Sequence, residues 1–242
     1  MAFWRKDPSR GRAFPRCSAV IVAAGTASRM EGIDKILTPL GGEPLILHTL
    51  APFQASEQVE EIVIVTREDL LLPIGELCRS RGLDKVRRVV KGGADRTASV
   101  LAGVGETDPQ ADLIAIHDGA RPFLPQEVLE ETLLAAARHG AAAPALPVKD
   151  TIKVARAGVV EGTPDRALLF AVQTPQIFQA ALIREALAQA AEAGVSLTDD
   201  CAAVERLGRP VHLTRGSEEN LKITTPRDLT WGQAILAERM GR

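Results

Sequence analysis

Residues Ser18 to Lys35 read SAVIVAAGTASRMEGIDK, and this stretch decides the fold. Its opening, Ser18 to Ala23, is a short apolar run without the polar–apolar alternation of a half-solvated strand. That is the signature of a strand buried on both faces of a parallel sheet. The remainder, Ala23 to Lys35, places small residues and two cations, Arg29 and Lys35, at the strand's carboxyl end. Open α/β sheets bind their ligands there. Small residues let the backbone approach phosphates and aim N–H groups at them. A guanidinium such as Arg29 can fork onto phosphate oxygens, and Lys35 supplies a mobile point charge. The loop is neither a Walker loop, which needs GK[ST], nor GxGxxG. An ordinary turn with solvated Arg and Lys accounts for the same residues.

Working outward, short apolar runs alternate with longer amphipathic stretches, the rhythm of βαβ units. Strands are expected at Glu61 to Thr66, Val86 to Val90, Asp112 to His117 and Ala141 to Val148. Helices are expected at Pro44 to Ser56, up to about Arg81, at Arg96 to Glu106 and at Pro125 to His139. Pro52 should kink or end the first of these. The rhythm then breaks. Asp150 to Ala155 and Gly158 to Glu161 flank an Ala157-Gly158 turn signal, which predicts a protruding β-hairpin. Helices follow at Gln179 to Ala193 and Asp199 to Leu207, a strand at Val211 to Thr214, and a helix at Pro226 to Met240.

Composition narrows the function. A formal charge of −2 provides no global field for a polyanion, so any phosphate site must be local. Aromatic residues make up only 3% and Tyr is absent, which argues against nucleic-acid binding by base stacking. Cys17, Cys78 and Cys201 show no metal or redox spacing and are expected as buried thiols of a reducing compartment. No apolar run is long enough to span a bilayer, so no membrane partner is expected. Residues 1–17 carry basic side chains without a secretory apolar segment. They are expected to form a basic tail, or a short targeting peptide, ahead of one domain at 18–242.

Three further segments carry chemistry. In GGADRTASV, Gly92 and Gly93 allow close approach of a base or ribose and Ser99 could bond it; a loop and helix cap fits equally. In HDGARP, Asp118 suits Mg²⁺ or a ribose hydroxyl and Arg121 suits phosphate. There His117 fits a satisfied structural histidine, and a strand-end Asp also caps turns. Late in the chain, TPDR (Thr163 to Arg166), QTPQ (Gln173 to Gln176), TDD (Thr198 to Asp200) and NLKITTP (Asn220 to Pro226) add cations, hydroxyls and carboxylates at loop positions. Their joint content suits two phosphorylated ligands.

Taken together and in this order, AAGTASRM, GGADRTASV, HDGARP, DTIK, TPDR, QTPQ, TDD and NLKITTP resemble the 2-C-methyl-D-erythritol 4-phosphate cytidylyltransferase family (IspD) from about Ser18 to the C-terminus. The resemblance implies an α/β, Rossmann-like domain with a mostly parallel sheet flanked by helices. It implies binding of CTP with Mg²⁺, and a dimerisation arm at about 148–171 in a cytoplasmic homodimer. Arg29, Lys35 and Lys222 would neutralise the CTP phosphates. Ala23, Ala24 and Gly25 would line the nucleotide, with Gly93 and Ser99 facing cytosine. Asp118 would lie at the metal or ribose. Arg121, Thr174 and Thr198 would hold the acceptor, and Arg166 would reach in from the other subunit. Two departures stand out: Ala27 replaces the second glycine of the family's AAGxGxRM, and Asp34-Lys35-Ile36 replaces PKQ. The alternatives are a ribitol 5-phosphate cytidylyltransferase, a guanylyl- or uridylyltransferase, and a nucleotide-binding regulator without catalysis.

Overall fold

The computed structural model describes residues 14–25, 35–195 and 197–241. Strand β1 (Cys17–Val22) leads through a two-residue pair, β2 (Pro39–Leu40) and β3 (Glu43–Pro44), into helix α1 (Leu45–Ala55). Next come β4 (Val59–Thr66), α2 (Leu71–Ser80), β5 (Val86–Lys91), α3 (Arg96–Gly105) and β6 (Leu113–Asp118). Helix α4 (Gln126–His139) and β7 (Ala141–Pro147) precede a hairpin, β8 (Val154–Arg156) and β9 (Val159–Gly162). The chain closes with β10 (Phe170–Val172), β11 (Gln176–Gln179), α5 (Ala180–Glu192), α6 (Cys201–Arg206), β12 (His212–Arg215) and α7 (Pro226–Met240).

The central sheet runs β10-β7-β11-β6-β1-β4-β5, with β12 also on β7. β1 is parallel to both β4 and β6, and β4 to β5. In register, Val22 sits beside Val65 and Asp118. The carboxyl ends of β1, β4, β5 and β6 therefore line up along one edge. Alternation in β1 sorts side chains by face. Cys17, Ala19 and Ile21 join Ile46, Leu50, Phe53, Leu129 and Leu133 from α1 and α4. Val20 joins Val100, Val104, Ile183, Leu187 and Val204 from α3, α5 and α6. Helices on both faces are what an all-apolar strand requires. Gly103 lets α3 lie flush on the sheet, because a Cβ there would meet Val20 and Val65 side chains at 2.5 Å.

The second half departs from the expected rhythm. β10 and β11 were not anticipated, being four residues or fewer each. Only Gln173, Thr174 and Pro175 separate them, so the chain keeps one direction through both; each is antiparallel to β7, and β11 is antiparallel to β6. The hairpin is shorter than expected and begins at Val154 rather than Asp150. Its turn at Ala157-Gly158 has φ of 48° and 81°, and it forms a two-stranded sheet of its own. Helix α1 runs past Pro52 to Ala55, so the proline ends it within a turn, with buried Phe53 holding that last turn on the core. Cys17, Cys78 and Cys201 are buried free thiols; burial pushes Cys17 up to about 12 and Cys78 up to about 11. Among the described residues, no helix is long and apolar enough to cross a membrane.

Candidate active site

A cavity of about 550 Å³ opens at the aligned strand ends. Ala23, Ala24 and Gly25 leave β1 along its wall, and Lys35 and Lys222 reach it from two loops. Gly92, Gly93 and Ser99 enter from the β5–α3 connection, and Asp118 from the end of β6. The structure thus brings together Ala23, Ala24, Gly25, Lys35, Gly93, Ser99, Asp118 and Lys222. Arg29 and the departures Ala27 and Asp34 lie outside the described residues; Ile36 is buried in the core. A cavity of about 620 Å³ between α2 and β5, lined by Glu76, Arg79, Asp84, Arg87 and Arg88 among others, lies off the strand ends and holds none of the candidate site residues.

The glycine pair is required by close approach. A Cβ on Gly92 would stand 2.5 Å from the Ala24 Cβ and 2.8 Å from Ser99 Oγ. Ser99 is buried and its hydroxyl is committed to the loop: it accepts from Gly93 N (3.1 Å) and donates to Asp95 O (2.8 Å). It shapes the loop rather than presenting a free hydroxyl. Asp95 caps α3 by accepting from Ala98 N, at 2.8 Å.

Asp118 is buried, and burial alone would raise its carboxyl. Lys222 Nζ at 2.8 Å and Arg121 Nε at 3.5 Å more than offset this and hold it at about 2. Arg121 also donates to Asn220 O, at 2.7 Å. His117 is fully buried against Phe53, and burial pushes it down to about 4, so the ring is neutral at pH 7. Its Nε2 faces the Arg121 carbonyl at 3.3 Å, which can only accept. The proton therefore sits on Nε2, and Nδ1 accepts from the Thr174 hydroxyl at 2.9 Å. That hydroxyl in turn accepts from Asp118 N at 3.1 Å. Both His117 and Thr174 are buried supports of the Asp118 backbone, as the structural reading of His117 holds.

The late motifs interlock. Gln176 Oε1 accepts from Asp200 N and Cys201 N, and its Nε2 donates to Asp199 (2.9 Å). Asp199 accepts from Ala202 N in the first turn of α6. Asp200, 1% exposed, receives both terminal nitrogens of Arg96 at 2.9 and 2.6 Å. Burial and the neighbouring Asp118 and Asp199 push Asp200 up, and Arg96 works against them. Sequence reasoning missed this pair, which spans 104 positions, although GGADRTASV and TDD each hold one of its members. Thr198 is exposed just before Asp199, while Arg166 is exposed past the hairpin and donates to Lys149 O. Neither lines the cavity within one chain.

The 2-C-methyl-D-erythritol 4-phosphate cytidylyltransferase (IspD) family model matches residues 17–238. The chain is similar to the Geobacillus kaustophilus enzyme of that name, with 44% identity over 92% of this chain and 97% of the relative. It is also similar to one from Caldanaerobacter subterraneus, at 41% over 90% and 98%. The solved Anaerococcus prevotii 4-diphosphocytidyl-2C-methyl-D-erythritol synthase superposes with a TM-score of 0.82 at 30% identity, covering 92% of this chain and 96% of that one. The Thermus thermophilus 2-C-methyl-D-erythritol 4-phosphate cytidylyltransferase gives 0.75 at 33%, over 90% and 98%. With the strand-end cavity and its lysines in place, the chain belongs to the 2-C-methyl-D-erythritol 4-phosphate cytidylyltransferase family.

Proposed function

We infer that this protein transfers CMP from CTP to 2-C-methyl-D-erythritol 4-phosphate, giving the CDP-sugar alcohol and pyrophosphate in isoprenoid precursor biosynthesis. The observation that carries this reading is the convergence of Lys35, Lys222 and the Gly92-Gly93 loop on one cavity at the sheet's carboxyl edge. An acceptor phosphate oxygen forms the new bond to the α-phosphorus of CTP. The bond to the bridging oxygen breaks, and pyrophosphate leaves with that electron pair. The acceptor phosphate is largely ionised at pH 7, since its second pKa is about 6. No general base is needed, which suits a site whose histidine is buried and fully bonded. Catalysis is then positioning and charge neutralisation. Lys35 and Lys222 supply charge here, together with Arg29.

In this reading, Mg²⁺ belongs at Asp118. Its carboxylate pairs with Lys222 at 2.8 Å, so a hard cation would take Lys222's place on Asp118, freeing that lysine for the phosphates, and would draw further oxygen ligands from triphosphate and water. When bound, it would draw off negative charge on the phosphates. Arg121 and Thr198 would hold the acceptor, with the Thr174 hydroxyl supporting Asp118 through its backbone N–H.

We also propose a cytoplasmic homodimer. Val159 and Val160 on the hairpin, Leu168 in the turn after it, and Phe170 and Val172 on β10 are all exposed, Leu168 at 78%. A lone two-stranded hairpin is marginal in water. A symmetric partner covering these side chains would explain their exposure, and would carry each Arg166 toward the neighbour's acceptor. Three buried thiols support a reducing compartment.

The direct test is pyrophosphate release in a matrix of CTP, UTP and GTP against methylerythritol phosphate and ribitol 5-phosphate. CTP with methylerythritol phosphate should dominate, with CTP favoured over GTP by at least ~10² in kcat/KM. Preference for ribitol 5-phosphate would reassign the acceptor, and no turnover with any pair would leave a binding protein.

A further inference from the structure

Lys222 sits in a poor place for a precise charge. Its side chain is 43% exposed, so packing does not fix it. Its backbone lies between β12, which ends at Arg215, and α7, which begins at Pro226, where no ladder or helix holds the chain. Such a loop needs tertiary bonds to have one position. Two of them come from the segment after Asp118, Ala120 O accepting from Ile223 N (2.8 Å) and Arg121 donating to Asn220 O (2.7 Å); four others converge on the break between β10 and β11. Gln173 donates through Nε2 to Ser217 O (2.8 Å), and its Oε1 accepts from Ser217 N and Asn220 Nδ2 (3.2 Å each). Asn220, wholly buried, also donates to Thr174 O (2.8 Å). The next residue along that break, Thr174, is the one whose hydroxyl holds Asp118 N. The two ends of the Lys222–Asp118 ion pair therefore hang on consecutive residues of one segment.

We propose that Gln173 and Asn220 are positioning residues for the transfer reaction, acting through Lys222 by clamping its loop to the Gln173–Thr174 break in register with Asp118. The inference rests on the reading of Lys222 as a charge-neutralising residue. Asn220 lies two positions before Lys222 and does not itself line the cavity. Its amide donors meet two oxygens, Gln173 Oε1 and Thr174 O, so an aspartate of the same shape would meet them with repulsion. Misplacing a reacting group by about 1 Å can cost about 10² in rate, so the clamp should register in turnover more than in nucleotide affinity.

The test is a double-mutant cycle on the full chain, because a residue acting only through Lys222 loses its effect once Lys222 is gone. Asn220→Ala should lower kcat about 30-fold, with CTP binding within about threefold of the parent. In a Lys222→Ala background the same change should cost less than about twofold. Asn220→Asp should be at least as impaired as Asn220→Ala. Gln173→Met, which keeps the length but removes the amide, gives a second cycle should Asn220→Ala not fold. An equal fold-loss in both backgrounds would overturn the proposal and leave the two residues as general supports of the fold. Unchanged kcat in the single variants would overturn it as well. If Lys222→Ala itself retained full turnover, the role of Lys222 would fall first, and the clamp with it.

Discussion

Asp118 and Asp200 are both buried aspartates beside one cavity, yet cations meet them in different numbers. Asp118 faces Lys222 and Arg121, with Arg96 beyond, and is held at about 2 despite its burial. Asp200 has Arg96 alone, in a bidentate grip, and two carboxylates nearby that push it up. The Asp118 end therefore carries more positive than negative charge, which an incoming polyanion can use. The Arg96–Asp200 pair cancels itself. It joins the start of α3, behind the glycine loop, to the start of α6, beside Thr198. One region is charged for a ligand and the other for architecture. A buried ion pair is weak evidence of net stability, but breaking one strands the survivor.

The largest expected effect tests the architectural side. Arg96→Leu leaves Asp200 buried without a cation, which should cost about 3–5 kcal/mol of folding stability in urea titration. The stranded carboxyl then has a folded pKa above its unfolded value, so the deficit should shrink as pH falls and the group takes a proton. A loss below about 1 kcal/mol would erase the contrast. Next is Lys222→Ala. Asp118 keeps Arg121, so stability should fall by no more than about 1 kcal/mol, while single-turnover rates drop by about 10²–10³. Collapse of the fold with turnover retained would reverse the two regions' roles.

A smaller effect lies in acid. The folded pKa of Asp118 is depressed from 3.8 to about 2, so its contribution is present above pH 4 and lost as pH falls toward 2. The shift corresponds to about 2 kcal/mol. Asp118→Asn should remove that share of the acid slope, seen as the difference between variant and parent unfolding curves at pH 4.5 and 2.5. An unchanged slope would mean the cations do not hold Asp118 as described. Smallest is Ser99→Ala. Losing the hydroxyl that ties Gly93 to Asp95 should cost about 1 kcal/mol and raise the KM for CTP severalfold. A raised KM for the acceptor alone would place Ser99 on the wrong side of the site.

Legibility in the sequence follows the same division. β1, β4 and β6 are apolar runs buried on both faces, and their positions could be read within about two residues. β10 and β11 could not be, because FAV and QIFQ are too short for a period and are strands only by pairing with β7 and β6. In the site, Ala23 to Gly25 and Gly93 follow sheet strands and Asp118 ends one, where a loop's chemistry announces a ligand. Roles that depend on distant partners were hidden. In TDD the eye goes to Thr198, while Asp200 is the one gripped by Arg96. In NLKITTP it goes to the lysine, while Asn220 does the holding. Thr174 is legible as a hydroxyl, but its commitment to His117 needs the fold.

The flush seat of α3 has a consequence beyond packing. Gly103 lies seven residues from Arg96, about 10 Å along the helix axis. A methyl at Gly103 has no room against Val20 and Val65, so it would lift that end of the helix off the sheet. A rigid rod raised at one end swings at the other, where Asp95, Arg96 and the approach to Gly93 are. The sheet surface under Gly103 is thus a fulcrum for the nucleotide loop. Genetic screens for weakened alleles should recover lesions here that touch no substrate, and their defects should resemble those of the glycine loop rather than those of a damaged core.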